Sequence, residues 1–299
     1  MSDILFLDES RVRSLISMSD LIPAMGSALA DLSAGKAVQP VRTVVPVAEH
    51  QGFFGVMPAY NNALGAKIVS FYPENVDVHT HHGLILLFKP ETGEPLCVMD
   101  GRLITEMRTA AVSAAATDLL AREDAQVLAI LGSGVQARSH LEAMKLVRSF
   151  DEVRVWSPRN AAAFATEHGV AVAPSAEACV RDADVICVVT GSDTPVLHGE
   201  WLSAGMHINA VGANRPTWRE LDDDCLRRSK IYVESREAVF KESGDVIAAG
   251  TVFAEIGEVI NEKLPGRETA EEITLFKSLG QAVEDIAAAD IVYQRAISG

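Results

Sequence analysis

The sequence predicts an α/β protein that combines a doubly wound parallel sheet with a second, mostly antiparallel α+β domain. Two patterns in the 299 residues indicate this. Residues 125–233 alternate between short apolar runs and helical segments, which is typical of parallel strands joined by crossover helices. Residues 1–110 show short alternating segments broken by turns such as PETGEP, which is typical of antiparallel strands.

The predicted parallel domain covers residues 116–274. Its first part, residues 125–159, has the pattern of a strand, a glycine-rich turn, a helix and a second strand. The elements expected after it are a helix at 160–168, a strand at 170–172, a helix at 175–181, and strands at Val185–Val189, His207–Val211 and Ile231–Val233. This alternation favours a parallel sheet with helices on both faces.

The other predicted domain covers residues 1–115 together with 275–299. Its expected strands are Arg42–Val47, Gly65–Phe71, Leu84–Phe88 and Leu96–Met99. From Glu271 onward, apolar residues at helical spacing predict one long terminal helix that returns to this domain. The apolar stripe consists of Ile273, Phe276, Leu279, Val283, Ile286 and Ala287.

The composition favours a globular protein with small-molecule partners. Apolar residues make up 48% of the chain, which is ample for buried cores. The formal net charge of −15 argues against nucleic acid and anionic membrane surfaces as partners, since both attract basic proteins. The segment MSDILFLDES carries acids where a signal peptide carries bases, and no apolar run approaches about 18 residues. We therefore expect a cytoplasmic protein.

The glycine-rich turn LGSGVQA predicts a dinucleotide site. Gly132 permits a tight turn after an apolar strand, and Gly134 allows phosphate oxygens to approach the backbone. Ala137 fills the third small position, where helix and strand pack. We expect Gly132, Ser133 and Gly134 to hold a pyrophosphate at the helix N-terminus.

The end of the second strand favours NADP(H) over NAD(H), although NAD(H) remains possible. An acidic residue there normally binds the ribose 2′-hydroxyl, but this chain has Ser157. Ser157 can donate a hydrogen bond to a 2′-phosphate, and Arg159 can pair with it. The alternative is that Arg159 only begins the next helix in solvent.

Three cations are candidates for binding a carboxylate. Arg108 follows Thr105, a plausible helix N-cap, and it has no acid at helical spacing, so both the guanidinium and the helix dipole would attract an anion. Lys67 lies in GAKIVSFYP, where Ala66, Ile68 and Phe71 suggest a half-buried strand. Lys67 and Arg42 each have two interpretations. The side chain lies on a solvated face of an antiparallel sheet, or it belongs to the site.

No metal site is expected. The cluster His79, His81 and His82 in VHTHHG lacks carboxylates at ligand spacing, so one histidine that hydrogen-bonds a substrate is the better functional hypothesis. The four cysteines contain no CxxC pair and are expected to be reduced. Nucleophile-elbow, Walker and HExxH motifs are absent from the sequence, so a bound dinucleotide would have to carry the chemistry.

Several longer stretches resemble the ornithine cyclodeaminase and mu-crystallin family, and the resemblance extends over essentially the whole chain. The ketimine-reductase members of the family are the most similar. The stretches are VMDGRLITEMRTAAVSAAAT, GSGVQARSH, VGANRPTWRELDDD, KESGDVIAAG, FAEIGEVI and TLFKSLGQAVEDIAAA.

This resemblance implies a homodimer whose first domain, joined by the C-terminal helix, supplies the interface and faces the nucleotide domain across the active site. It assigns carboxylate binding to Arg42, Lys67 and Arg108, and places His81 near the substrate. The residues implied to line the cofactor are Thr109, Val135, Gln136, Thr190, Val211 and Ser278 through Gly280.

Two departures from the family pattern bear on the reaction. Cyclodeaminase members carry an aspartate where this chain has Asn214 and a glutamate where it has Gly55. A neutral amide cannot act as a general base, so deamination through those acids is disfavoured. The absent aspartate also counts against those alanine dehydrogenases of the family that keep it.

The sequence therefore predicts reduction of a C=N bond beside a carboxylate by NAD(P)H. The expected substrate is a cyclic ketimine such as pyrroline-2-carboxylate or piperideine-2-carboxylate, with Lys67 and Arg108 as catalytic residues and Lys67 as the candidate proton source. The alternatives are an open-chain imine reductase or amino-acid dehydrogenase, an ornithine cyclodeaminase, and a non-catalytic NADP-dependent protein that binds a small carboxylate.

Overall fold

The computed structural model describes residues 4–298, and the chain divides into two compact units. One unit consists of the chain up to Arg108 together with the segment from Gly280 onward, and the other is Thr109–Leu279. The predicted boundaries lie at 115/116 and 274/275, and the first of these falls within a continuous helix, where the sequence gives no break. Residues 1–3 and 299 of the predicted first domain lie outside the described residues.

The strands of the first unit have three to nine residues, and those of the second unit have two to five. In chain order they are β1 (Leu5–Leu7), β2 (Thr43–Val47), β3 (Gly52–Tyr60), β4 (Leu64–Phe71), β5 (His81–Phe88), β6 (Pro95–Asp100), β7 (Val127–Leu131), β8 (Glu152–Trp156), β9 (Ala171–Val172), β10 (Val185–Val188), β11 (His207–Ala210), β12 (Lys230–Val233), β13 (Ala254–Glu255) and β14 (Thr274–Lys277).

The helices connect the strands of the second unit and flank the sheet of the first. In chain order they are α1 (Glu9–Leu15), α2 (Met18–Ser33), α3 (Arg102–Leu120), α4 (Val135–Val147), α5 (Ala161–His168), α6 (Ala176–Val180), α7 (Asp223–Arg228), α8 (Arg236–Glu242), α9 (Gly244–Ala249), α10 (Ile256–Ile260) and α11 (Ala282–Ser298).

The first unit is a six-stranded sheet with helices on one face. The strand order is β1-β6-β5-β4-β3-β2, with β1 parallel to β6 and the other pairs antiparallel. Helix α11 packs against β3, β4 and β5, and also against α2. On β4 the buried positions are Gly65, Lys67 and Val69, opposite in phase to the expected Ala66 and Ile68. The predicted alternation was therefore right in period and wrong in phase.

The other face of this sheet is apolar and exposed. The strand register places Val45 opposite Phe54, and Phe6 opposite Val98, on the face away from the helices. The exposed fractions are 54% for Val45, 39% for Phe54, 50% for Leu84 and 72% for Phe6. Large apolar surfaces of this kind usually mark an interaction surface.

The second unit is a doubly wound parallel sheet, which confirms the predicted fold class. All eight strands are parallel, in the order β13-β12-β14-β11-β10-β7-β8-β9. The chain runs outward from β7 through β8 and β9, then returns to build β10 and β11 on the other side of β7. Ligands of such sheets bind at the carboxyl ends of the strands near this reversal.

The predicted terminal helix from Glu271 is wrong in its first part. Thr274–Lys277 forms strand β14, all four residues are buried, and it lies between β11 and β12 in the centre of the sheet. The helix begins only at Ala282. Apolar spacing cannot distinguish a short buried strand from a helical turn, and here pairing with two distant strands decides the outcome.

Within residues 4–298, no single helix is long and apolar enough to cross a membrane. The bent pair α1 and α2 meets the length and composition requirement only when the two helices are taken together across an 85° bend.

Candidate functional site

The glycine-rich turn lies between β7 and the N-terminus of α4, as predicted. Gly132 has φ +126°, and a Cβ there would stand 2.6 Å from the carbonyl oxygen of Val189, so glycine is required. Gly134 is the N-cap of α4 and provides no side-chain hydrogen bond. A Cβ on Gly134 would meet no atom within 4 Å, so the space before this helix is open.

This turn fits the pyrophosphate of a dinucleotide. Helix N-termini attract phosphate through their amide groups and dipole, and α4 lacks a side chain at its cap that would compete. The side-chain oxygen Oε1 of Gln136, in the first turn of α4, is buried and has no hydrogen-bond partner in the described structure. The neighbouring Val135 is 44% exposed at the start of the helix.

The residues expected to select the cofactor follow β8. Ser157 Oγ lies 2.8 Å from Ser133 Oγ, so the end of β8 is hydrogen-bonded to the glycine-rich turn. The Asn160 amide also donates to Ser157 Oγ, at 3.3 Å. Arg159 is exposed in the turn before α5. No carboxylate follows β8 where a ribose-binding acid would stand.

Most of the other expected cofactor residues follow parallel strands of the same unit. Thr190 follows β10, Val211 follows β11 and Ser278 follows β14, so all three lie at the carboxyl edge of the sheet. Ser278 Oγ donates to Glu234 at 2.6 Å. Thr109 is buried in α3, where the second unit begins.

Glu220 was missed by the sequence prediction and organises this carboxyl edge. It is fully buried and accepts hydrogen bonds from the Thr190 amide (2.9 Å), the Thr190 hydroxyl (2.6 Å) and the Ala213 amide (2.9 Å). It therefore ties together the segments that follow β10 and β11. Burial raises the pKa of Glu220 to about 7, while Lys277 and the Thr190 and Ala213 donors lower it. Its only sequence signal is an acid in the quoted stretch VGANRPTWRELDDD.

The first unit contains a buried cluster of two cations and two acids. Lys67 is 2% exposed, and its Nζ lies 2.6 Å from Asp285 Oδ2. Arg108 Nε donates to Asp285 Oδ1 at 2.9 Å, and Arg108 Nη1 donates to Glu284 Oε2 at 2.8 Å. Both acids are fully buried in the first turn of α11. This cluster joins β4, α3 and α11.

Burial and neighbouring charges set the protonation of this cluster. Burial lowers the pKa of Lys67 from 10.5 to about 8; Asp285 raises it, and Arg108 and Arg42 lower it further. Burial alone would raise the pKa of Asp285, but Arg108 and Lys67 outweigh that effect and keep it below its usual value. At neutral pH the cluster therefore holds an ammonium, a guanidinium and a carboxylate at Asp285.

Arg42 is connected to this cluster by a hydrogen bond to Gly280, which contacts Arg108. Its Nη2 donates to the Gly280 carbonyl oxygen at 2.9 Å. Gly280 has φ +79° and lies against the guanidinium of Arg108. Gly280, which the resemblance places beside the cofactor, belongs to the first unit and contacts both arginines.

The structure corrects two expectations about these cations. Thr105 is not an N-cap, because α3 begins at Arg102; the Thr105 hydroxyl donates to the Gly101 carbonyl from within the first turn. Arg108 consequently lies beyond the first turn, and its partners come from α11, far along the sequence. The solvated-face alternative for Lys67 is wrong, since its side chain is buried against the helices.

The histidine cluster divides between the site and the solvent. His81 is half-buried on β5, and burial, followed by the charges of Lys67 and Arg108, lowers its pKa to about 4. A neutral imidazole near these cations can hydrogen-bond a substrate. His79 and His82 are exposed. In residues 4–298 no group of three or more His, Cys, Asp or Glu side chains could hold a metal ion.

Comparison with known proteins places this fold and site in context. The model of the ornithine cyclodeaminase/mu-crystallin family matches residues 3–299. Ketimine reductase mu-crystallin of Mus musculus is 51% identical over 308 residues, which cover 98% of this chain and 98% of the mouse protein. The similarity therefore extends over both units.

Two solved structures have the same fold. The Δ(1)-pyrroline-2-carboxylate reductase of Thermococcus litoralis, in complex with NADH and L-proline, has a TM-score of 0.94 at 39% identity and covers 99% of this chain and 98% of its own. An archaeal alanine dehydrogenase dimer with bound NAD has a TM-score of 0.94 at 36% identity, covering 99% and 96%. Both likenesses extend over nearly the whole chain.

Proposed function

The chain belongs to the ornithine cyclodeaminase/mu-crystallin family, and from this membership we propose that it is an NAD(P)H-dependent ketimine reductase. The reaction is reduction of a C=N bond next to a carboxylate. The favoured substrates are cyclic ketimines, pyrroline-2-carboxylate or piperideine-2-carboxylate, and the product is an L-amino acid. The Mus musculus and Thermococcus litoralis relatives are a ketimine reductase and a pyrroline-2-carboxylate reductase.

The grouping of cationic side chains around one buried acid carries this proposal. Lys67 and Arg108 both contact Asp285, and Arg42 donates to the Gly280 carbonyl beside the Arg108 guanidinium. Guanidinium groups bind carboxylates through charge-assisted hydrogen bonds, and an ammonium attracts the same charge. These cations therefore suit the single carboxylate of such a ketimine.

The cofactor is proposed to bind at the glycine-rich turn. Gly132, Ser133 and Gly134 would hold its pyrophosphate, and Ser157 with Arg159 would favour a 2′-phosphate. The dihydronicotinamide supplies a hydride when it is bound. The two structural relatives described above hold NADH and NAD. The preference for NADP(H) that we propose rests on Ser157 and Arg159, and not on these relatives.

The protein residues bind the substrate and supply a proton. Arg108 and Arg42 would hold the carboxylate, which fixes the imine carbon beside it. The Lys67 ammonium would hold a proton for the imine nitrogen, which needs one when the C=N bond is reduced. After the CH–NH amine has formed, neutral Lys67 would regain its proton from solvent. Neutral His81 would hydrogen-bond the substrate.

A panel of cyclic ketimines, with NADPH and NADH followed by absorbance, tests the proposal. We expect turnover on five- or six-membered ketimine carboxylates. Tight NADPH binding without turnover on any ketimine would instead indicate a binding protein. Turnover of ornithine without added imine would favour cyclodeamination despite Asn214 and Gly55.

Open-chain imine reduction is the second candidate function. It is favoured by the similarity to an archaeal alanine dehydrogenase. The same cation cluster would bind the carboxylate of an imine formed from pyruvate or oxaloacetate and ammonia, giving alanine or aspartate. Ammonia-dependent oxidation of NADPH in the presence of either 2-oxo acid would identify this activity.

We also propose that the protein is a cytoplasmic homodimer formed through the exposed face of the first unit's sheet. Phe6, Val45, Phe54 and Leu84 extend across this face from β1 to β2. The archaeal alanine dehydrogenase is a dimer with the same fold. A second copy of this chain that packs on this face would bury these apolar side chains.

A further inference from the structure

Asp285 is the acid that contacts both cations of the buried cluster. Its Oδ2 lies 2.6 Å from Lys67 Nζ, and its Oδ1 accepts from Arg108 Nε at 2.9 Å. The side chain is fully buried in the first turn of α11. One carboxylate thus orients an ammonium from β4 and a guanidinium from α3.

We propose that Asp285 is a positioning residue that keeps Lys67 protonated and thereby sets the upper pH limit of activity. This inference rests on the proposed ketimine reductase function. Lys67 must be an ammonium both to attract a carboxylate and to protonate an imine nitrogen. Asp285 itself remains a carboxylate throughout the reaction and does not contact the substrate.

The charges around Lys67 show why one acid has this effect. Arg108 on α3 and Arg42 before β2 both disfavour the ammonium, as does burial. His81 on β5 is neutral at physiological pH because its pKa is about 4. On α11, Glu284 pairs with Arg108 Nη1 at 2.8 Å, whereas Asp285 pairs with Lys67 directly.

The direction of the pH effect follows from these contacts. The pKa of Lys67 is lowered to about 8, so the ammonium is present below that pH and is lost as pH rises through it. Asp285 opposes the lowering. If its charge is removed, burial, Arg108 and Arg42 act without opposition, and the ammonium is lost at a lower pH.

The test is the pH dependence of kcat/KM for a cyclic ketimine with Asp285→Asn. We expect the alkaline decline of kcat/KM to move to lower pH by about one unit or more, the effect of removing an opposite charge at this distance. Asp285→Glu keeps the charge and should leave the decline near its wild-type pH, with a lower kcat/KM at every pH. The Kd of L-proline in the presence of NADH should show the same pH displacement.

Glu284→Gln is the matched control. It removes the neighbouring acid of the same helix, which pairs with Arg108. We expect lower kcat/KM at all pH values, with the alkaline decline much less displaced than in Asp285→Asn. Equal displacement in both variants would overturn the specific role of Asp285.

Lys67→Arg keeps the test decisive if Asp285→Asn fails to fold. Arginine stays charged across this range but cannot replace Lys67 as a proton donor, so this variant is tested by binding. The weakening of L-proline binding in the presence of NADH near pH 8 should disappear in Lys67→Arg. A decline in L-proline binding that persists in Lys67→Arg, or an unmoved decline of kcat/KM in folded Asp285→Asn, overturns the inference. Absence of wild-type turnover on every ketimine would instead refute the proposed function.

Discussion

The guanidinium of Arg108 occupies the space in which a Cβ on Gly280 would lie. Both Nη atoms of Arg108 are within clash distance of that position, and Gly280 has φ +79°. The carbonyl oxygen of the same glycine accepts from Arg42 Nη2 at 2.9 Å. A single backbone position therefore sets the location of two of the proposed carboxylate-binding cations.

Gly280→Ala should consequently displace Arg108 and impair carboxylate binding. Misplacement of a binding group by about 1 Å can cost about 100-fold in rate, so we expect kcat/KM for a cyclic ketimine to fall roughly 10- to 100-fold. Gly93→Ala is the matched control, because Gly93 has φ +73° and open space at its Cβ position. Gly93→Ala should have a lower Tm, because alanine is strained at this positive φ, and should keep wild-type kcat/KM. Equal activity in the two variants would refute the positioning role of Gly280.

Arg108→Lys tests the guanidinium fork separately from its charge. Lysine cannot contact Asp285 and a substrate carboxylate in the same bidentate geometry. Loss of one charge-assisted contact of about 1.5–3 kcal/mol predicts a roughly 10- to 100-fold decrease in kcat/KM. Arg102→Lys is the control: Arg102 is the first residue of α3, and this variant should retain activity. Wild-type kinetics in Arg108→Lys would exclude the proposed clamp.

Arg108→Ala should also unfold the protein more readily. It leaves Glu284 and Asp285 buried without the guanidinium, and breaking a buried ion pair costs about 3–5 kcal/mol. We expect a large decrease in Tm, which thermal unfolding measures directly. A decrease in activity at unchanged Tm would mean that both acids find other partners.

The sequence predicted the nucleotide turn well because its determinants are local. Gly132 and Gly134 act through their own backbone and their immediate neighbours, so strand, turn and helix follow from one short segment. Strand β14 shows the opposite case. Thr274–Lys277 continues an apolar helical stripe along the chain, and only its pairing with β11 and β12 makes it a strand.

The cation cluster shows a similar limit. Arg108 was singled out because no acid stands at helical spacing, yet its partners Glu284 and Asp285 are 176 and 177 positions away. Lys67 lies on a strand whose alternation was predicted, but the phase of burial depends on which face α11 covers. The sequence thus indicated the cations, and the long-range packing of α11 supplied the acids that neutralise them.

The exposed sheet face predicts a dimer that a single charge should disrupt. Leu84→Glu places a carboxylate in the middle of the apolar face, and burying an unpaired charge is strongly unfavourable. We expect a monomer, or a dimer weakened at least about 100-fold, by light scattering coupled to size-exclusion chromatography. Leu146→Glu is the matched control, since Leu146 on α4 is 53% exposed against 50% for Leu84. A Leu84→Glu protein of wild-type mass would place the interface elsewhere.

The proposed roles of Ser157 and Arg159 in binding a 2′-phosphate can be tested by measuring cofactor preference. A guanidinium that pairs with a 2′-phosphate contributes about 1.5–3 kcal/mol, so Arg159→Ala should lower kcat/KM roughly 10- to 100-fold with NADPH and much less with NADH. Ser157→Asp should go further and favour NADH, because its carboxylate accepts from a ribose 2′-hydroxyl and repels a 2′-phosphate. Arg181→Ala removes an exposed arginine that pairs with Glu177 in the same unit, and should change neither value. Two results would refute this role of Arg159: a wild-type preference for NADH, or an equal effect of Arg159→Ala on both cofactors. Arg159 would then be a solvent-exposed residue before α5 with no part in cofactor binding.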